Sequence, residues 1–360
     1  MILPILGYMS GLVTIDDFAT AFALFESEGL EGYVNGGSGT GLTMASNRAA
    51  WDAIEIRPRI LTGVGSRDLT TVVLGTQEKH PIMVAPVGFQ GYVHADGARA
   101  LASGAVAAGA RYCHSTFGGA SFADLEQIDG LRWWFQLYSF TDAGLNRSLI
   151  ERAQEAGAEA IVLTVDLAAL GHRDRDAHTG FALRGNRQVA CVAEVGHPDP
   201  KLSSVWNSLD HDISWETLQQ VLTVATVPVL VKGVLRGDDA ATAIAQGAAG
   251  VIVSNHGGRQ LDTAVSTQRA LVDVVEAVDG RGEVLVDSGI RYGTDVVKAL
   301  GLGASAVLVG RPPLWGLGVA GHEGVARVLA LMVEDFDRAM ALVGASSVGD
   351  ITNDLFVLPR

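Results

Sequence analysis

The chain has 360 residues, 48% of them hydrophobic and only 18% charged, a composition that supports a large buried core and excludes a disordered or fibrous protein. Its formal net charge of −14 opposes non-specific binding to nucleic acid or to an anionic membrane surface, since both need a positive field. Two cysteines, Cys113 and Cys191, make neither a disulfide framework nor a metal-ligand cluster, which suits a reducing cytoplasm.

The opening segment, Met1 to Met9, is apolar, but no Lys or Arg precedes Arg48, so the charged start of a secretory signal is missing. It is too short to span a bilayer and is expected to pack on the body of the protein or on a neighbouring subunit. Residues 14–60 read as a helical prelude. Eight short apolar runs follow, at 81–86, 111–116, 134–138, 160–166, 228–233, 250–256, 283–289 and 306–310. Between them, 96–108, 148–156, 237–246, 267–278 and 293–300 carry alanines and aliphatics at helical spacing, most ending near a glycine. Apolar runs alternating with helices predict strands buried on both faces of a parallel sheet, and eight such units predict a closed (β/α)8 barrel. The expected division is one domain over 1–360: an N-terminal helical extension to 80, the barrel over 81–320, and a C-terminal helix and tail. Residues 180–213 have mixed polarity and little periodicity, and read as a long loop after the fourth strand.

In such barrels the chemistry lies at the carboxyl ends of the strands. Here Tyr138, Asp166 and His256 end the third, fourth and sixth runs, Lys232 lies near the end of the fifth, and Asp287 and Arg311 flank the seventh and eighth. A charge at the end of a buried strand is costly unless it meets a ligand or partner. For Lys232 the sequence singles out no partner. The densest stretch is Ser254-Asn255-His256-Gly257-Gly258-Arg259-Gln260-Leu261-Asp262, a base and an anion anchor three residues apart. Its two glycines leave room for a sharp turn and for a flat ligand to come close.

This nonamer resembles the signature of the FMN-dependent 2-hydroxy acid oxidase and dehydrogenase family. The likeness extends to Tyr33-Val34-Asn35-Gly36-Gly37, Asn47-Arg48, Arg57-Pro58-Arg59, Trp134-Phe135-Gln136-Leu137-Tyr138 and Thr164-Val165-Asp166 with Gly171-His172-Arg173. It closes with Val286-Asp287-Ser288-Gly289-Ile290-Arg291 and Val309-Gly310-Arg311-Pro312, so that residues 25–345 are covered. The resemblance implies FMN as cofactor, no metal, and a small 2-hydroxy acid as partner. It makes His256 the base with Asp166 behind it, Arg173 and Arg259 a carboxylate clamp, and Tyr33 and Tyr138 donors to substrate oxygens. Lys232 would sit beside the flavin's N1 and C2 carbonyl. The backbone of Pro86, Val87 and Gly88 would meet the ring, with Ser115, Gln136 and Thr164 around it. Asp287 would hold the ribityl chain and Arg291, Gly310 and Arg311 the phosphate, with Ser254 and Gly289 completing the cofactor set.

The implied reaction is oxidation of an L-(S)-2-hydroxy acid to the 2-keto acid, with reoxidation by O2 giving H2O2. The excursion after the fourth strand lacks the basic, strongly apolar stretch that would seat on a membrane, so a soluble oxidase is preferred. Gly88, where many relatives have alanine, leaves space for a bulky side chain, Phe117 could stack on an aromatic ring, and Gly36-Gly37-Ser38-Gly39-Thr40 is more like the hydroxymandelate oxidases than the glycolate oxidases. These residues favour mandelate or 4-hydroxymandelate over lactate or glycolate. Two departures bear on the loop after the fourth strand: Leu167-Ala168 replaces the usual Thr-Pro, and His172-Arg173 stands where two arginines are common. Family likeness also implies a homo-oligomer, a tetramer. A dehydrogenase with another acceptor, or an FMN-binding barrel with an isomerase or purely binding role, are the alternatives.

Overall fold

The computed structural model describes residues 11–183 and 187–358. The apolar opening segment, apart from its continuation past residue 10, and residues 184–186 of the long excursion lie outside the described residues. Eight parallel strands close into a barrel: β1 (Ile82–Val84), β2 (Tyr112–Ser115), β3 (Trp133–Leu137), β4 (Ile161–Thr164), β5 (Val229–Val234), β6 (Gly250–Val253), β7 (Glu283–Val286) and β8 (Ala306–Val309). Closure is made by β8 on β1, with Val307 opposite Ile82 and Val309 opposite Val84.

Strands buried on both faces produce two cores. Inside the barrel Met83, Cys113, Trp134, Val162, Leu230, Ile252, Leu285 and Leu308 pack together, with alanines at 85, 160 and 306 filling the remaining space. Between barrel and helices lies the larger core, to which the N-terminal extension adds Phe18, Phe22 and Trp51. Among the described residues that extension forms three helices, Ile15–Phe25, Glu28–Asn35 and Leu42–Asp52. A hairpin, Thr71–Val73 with Thr76–Glu78, precedes β1, and its turn residue Leu74 packs against the inner core from the amino end.

The structure departs from the sequence reading in three places. Every strand but β5 stops short of the carboxyl end of its apolar run, so Tyr138, Asp166 and His256 lie just beyond β3, β4 and β6 rather than within them. The helix expected at 148–156 is Ala143–Glu155, because the Asp142 side chain accepts from Gly144 N and Leu145 N and starts it a turn earlier. The C-terminal helix, expected beyond residue 320, starts at Arg311, directly after β8, and runs to Val343 with a break at Ala320 and Gly321. There Gly321 adopts φ +58°, and the chain folds back until a Cβ on Gly316 would lie 2.4 Å from Gly324 O. Arg311–Val343 is long and apolar enough to cross a membrane by composition, yet half of its most apolar window is buried against the protein's own core. Within the long excursion, Ala190–Glu194 and Leu202–Asn207 are short helices whose Cys191, Val192, Leu202 and Val205 are buried.

Candidate active site

At the carboxyl ends of the strands lies a cavity of about 850 Å³, lined by residues of β2, β5 and β8 and by the loops that follow the other strands, those after β4 and β6 included. The loop after β6 carries three successive left-handed residues, His256 (φ +58°), Gly257 (+68°) and Gly258 (+75°). For a non-glycine residue this conformation costs ~1–3 kcal/mol, and here it turns the imidazole back over the barrel mouth. The glycines also make room for neighbouring protein: a Cβ on Gly258 would lie 2.6 Å from Met44 N, and one on Gly257, which lines the cavity, 3.1 Å from the Arg311 guanidinium.

His256 Nδ1 is 2.9 Å from Asp166 Oδ1, and the Tyr138 hydroxyl is 3.4 Å from Nε2. Gly233 makes the first contact possible. With φ +109° it lies against Asp166, where a Cβ would approach to 2.7 Å, and the β5–β6 register shifts there. Burial raises the Asp166 carboxyl, but the facing imidazole and Lys232 outweigh it and hold the group below the ordinary aspartate value. An ionised carboxylate only accepts, so Nδ1 carries the proton and Nε2 is left basic and facing the cavity. Burial pushes the Tyr138 hydroxyl well above its usual value, so it remains a donor.

Two guanidiniums stand beside this base. Arg173 and Arg259 lie 5.5 Å and 4.8 Å from the Tyr33 ring centre, and Arg259 donates to Tyr33 O at 2.6 Å and Gly36 O at 3.0 Å. Burial and the like charge of Arg173 bring Arg259 down to about 10. Arg173 Nε has no partner, and Asp176 is 3.8 Å from the Arg173 head. This pair of cations beside a base is built for an anion. His172 lies at the cavity's edge with its side chain 81% exposed and 3.3 Å from Asp174, so it brings no third guanidinium to this pair.

The partner that the sequence did not reveal for Lys232 is Asp287, with Nζ to Oδ2 at 3.0 Å; Lys232 also donates to Ser254 Oγ at 2.8 Å. Burial lowers the lysine, but Asp287 and Asp166 raise it further, so it stays charged. Ser288 was not singled out, although the Asp-Ser-Gly run contained it. At φ +72° it donates to Asp287 and accepts from Gly257 N, which joins the loops after β6 and β7. Arg311, expected at the phosphate, lines the cavity and is also bonded to the protein. It donates to Val34 O, Gly36 O and Gly257 O and so braces the rim, while burial and its neighbours Arg259 and Arg291 drive its pKa down. Arg291 is brought to about 10 by burial and Arg48.

These residues fit an anionic flavin. Gln136 Nε2 and Thr164 Oγ1 are buried without a hydrogen-bond partner below the cavity, and a ring edged with carbonyl and N–H groups supplies one to each. Ser115 donates to Gln136 Oε1 at 2.9 Å and fixes that amide. Five cations line the cavity, Arg173, Lys232, Arg259, Arg291 and Arg311, against Asp176 and Asp287. The backbone at Pro86, Val87, Gly88, Gly289 and Gly310 also lines it, while Ser254 and Asp166 contact the lining residues Lys232 and His256.

The outer wall is aromatic. Phe117 stacks on Phe89 at 5.5 Å, and lies 5.6 Å from Tyr138 and 5.3 Å from Trp206. Gly88 makes room for Phe117 itself: a Cβ there would lie 3.3 Å from Phe117 Cβ. Phe89 sits next to the predicted Val87-Gly88 pair, whereas Trp206 arrives from the long excursion with no sequence signal. The 36–40 segment does not line the cavity; Gly37 and Gly39 pack on the catalytic loop at Gly258 and Asp262.

A family model described as FMN-dependent dehydrogenase matches residues 27–358. The chain is 41% identical to an L-lactate oxidase of Nostoc sp. over 332 residues, covering 89% of this chain and 91% of that one. It is 42% identical to a 4-hydroxymandelate oxidase of Amycolatopsis orientalis over 328 residues, 88% of this chain and 90% of the relative. A crystal structure of mandelate oxidase superposes with a TM-score of 0.88 at 39% identity, covering 95% of this chain and 97% of that one. The family match over the whole barrel and these relatives show that the chain belongs to the FMN-dependent dehydrogenase family, as an FMN-dependent oxidoreductase on a (β/α)8 barrel.

Proposed function

We propose that the protein oxidises an (S)-2-hydroxy acid with an aromatic side chain, of the mandelate or 4-hydroxymandelate type, to the 2-keto acid, and passes the electrons to O2 to give H2O2. Bound FMN supplies the two-electron acceptor. The observation that carries the reading is the base and the clamp at one mouth: His256 backed by Asp166 at 2.9 Å, with the Arg173 and Arg259 guanidiniums beside it on Tyr33. Arg173 and Arg259 bind the substrate carboxylate. Tyr138 donates to the oxygen on C2, next to His256 Nε2, which takes the proton the substrate loses. Asp166 stabilises the imidazolium so formed. Lys232, held by Asp287 and Ser254, keeps its positive charge and would favour electron uptake by FMN bound beside it.

The aromatic preference rests on the wall of Phe89, Phe117 and Trp206, which lines the same cavity as the base. A binding or isomerising barrel has no use for two guanidiniums facing a base. Two buried cysteines without a disulfide favour a cytoplasmic location, which we include in the proposal. The test is anaerobic mixing of purified protein with (S)-mandelate, (S)-lactate or glycolate while following flavin absorbance, then admission of air. The expected result is fastest bleaching by (S)-mandelate, with colour returning in air and one H2O2 formed per keto acid. Slow return would assign another electron acceptor, and no bleaching by any of the three would overturn the substrate class.

A further inference from the structure

The helix Leu42–Asp52 belongs to the N-terminal extension and contributes no residue to the cavity wall, yet it touches both loops on which the site depends. Toward the loop after β6 it presents Asn47. The carboxamides of Asn47 and Asn255 form a reciprocal pair, Asn47 Nδ2 to Asn255 Oδ1 at 2.8 Å and Asn255 Nδ2 to Asn47 Oδ1 at 2.7 Å, with both residues buried. Asn255 Oδ1 also accepts from Gly258 N at 3.1 Å, and its Nδ2 donates to Val265 O at 3.1 Å, so the amide spans the turn that contains His256 and Gly257. Every hydrogen-bonding position of that buried amide is used. The left-handed backbone of His256 is therefore enclosed by bonds whose far end is Asn47.

Toward the loop after β7 the next residue, Arg48, does a parallel task. It donates to Gly289 O at 2.6 Å and to Asp295 Oδ1 at 2.6 Å. Asp295, with none of its surface exposed, also accepts from Arg291 N at 2.9 Å and Tyr292 N at 3.0 Å. Trp51, one turn along, donates from Nε1 to Ser288 O at 3.0 Å. Residues 47 and 48 of one helix point about 100° apart, so a single rigid element can brace two loops independently.

We infer that Asn47 and Arg48 are positioning residues with separable tasks: Asn47 holds the catalytic histidine's loop, and Arg48 holds the loop that presents Arg291 to the cofactor. The inference rests on the functional reading above only where it is read through turnover. Its test uses the FMN-loaded protein and the variants Asn47→Ala and Arg48→Ala, measuring the FMN dissociation constant by fluorescence titration and the anaerobic rate of flavin bleaching by (S)-mandelate at saturating FMN. Asn47→Ala is expected to slow bleaching at least tenfold while FMN affinity changes less than threefold. Arg48→Ala is expected to weaken FMN at least tenfold, more than it slows bleaching. Proportional changes in both quantities in both variants, or no change in either, would overturn the separation of tasks. Should Asn47→Ala fail to fold, Asn47→Asp keeps the shape and the acceptor for Asn255 Nδ2 but removes the donor to Asn255 Oδ1, and the same ordering is expected of it. If no hydroxy acid bleaches the wild-type protein, the functional reading fails alone. A crystal structure of whichever Asn47 variant folds then decides the inference, with His256 leaving the left-handed region as the expected result and an unchanged His256–Asp166 contact as the contrary one.

Discussion

The two ends of the barrel both bury charge, and they do it in opposite ways. At the amino end Arg111 and Arg132 meet Glu78 and Glu159, two cations for two carboxylates, and the Arg111 guanidinium also lies 5.2 Å from the Trp134 ring centre. The short Thr71–Glu78 hairpin region covers that end, and each of these four charges has a partner of opposite sign. At the carboxyl end five cations face only Asp176 and Asp287 within the cavity, and buried polar atoms of Gln136, Thr164 and Arg173 have no partner. Burial alone does not mark a functional site, since both ends have it. An uncompensated excess of one sign, with hydrogen-bonding atoms left over, does.

The comparison breaks first at the base. His256→Gln is expected to slow flavin bleaching by a 2-hydroxy acid by about 10³-fold, the range for removing a general base, while the protein still purifies yellow. Stopped-flow absorbance checks the rate, and a loss of under tenfold would remove His256 from the chemistry. Arg111→Met attacks the other end. It leaves Glu78 buried against a single partly exposed arginine, for which about 3–5 kcal/mol of lost stability is expected. Chemical denaturation measures this, and turnover per folded molecule is expected to hold.

Arg259→Met tests the difference in sign between the two ends. Removing one of two like charges held together in a buried site is expected to leave the ligand-free protein as stable as wild type or more so, where the amino-end substitution destabilises it. The KM for the hydroxy acid should rise by about 10²-fold through loss of a charge-assisted contact. A fall in melting temperature as large as that of Arg111→Met would mean that Arg259 is structural. The smallest effect is expected from Gly88→Ala, whose Cβ displaces Phe117 by a few tenths of an ångström. The ratio of kcat/KM for (S)-mandelate over (S)-lactate should fall by about tenfold, the scale of one methyl group in a pocket; an unchanged ratio would separate Phe117 from substrate choice.

The barrel was legible in the chain because its signal is local and repeated. Each buried strand needs a run of β-branched and aliphatic residues, each covering helix needs an amphipathic period, and the alternation of the two has few compact solutions. Spacing along the chain also placed Tyr138, Asp166, His256 and Asp287 near strand ends, where the fold gathers them at one mouth. Element ends were less legible. Where β6 stops depends on the left-handed turn at His256, and the helix after β8 breaks at Gly321 because the chain packs back on itself.

What only the tertiary structure decided are the pairings between residues remote in sequence. Asp287 as partner of Lys232, Asn47 against Asn255, Trp206 beside Phe117, and Arg311 bonded to rim carbonyls leave no periodic trace, because each is one contact between separate segments. The glycines of the catalytic loop show the same division. The sequence by itself determined that the backbone turns tightly there, since only glycine tolerates two such positions in succession without strain. That the space above Gly258 belongs to Met44 of the extension was decided by packing, which depends on where a helix more than 200 residues earlier comes to rest.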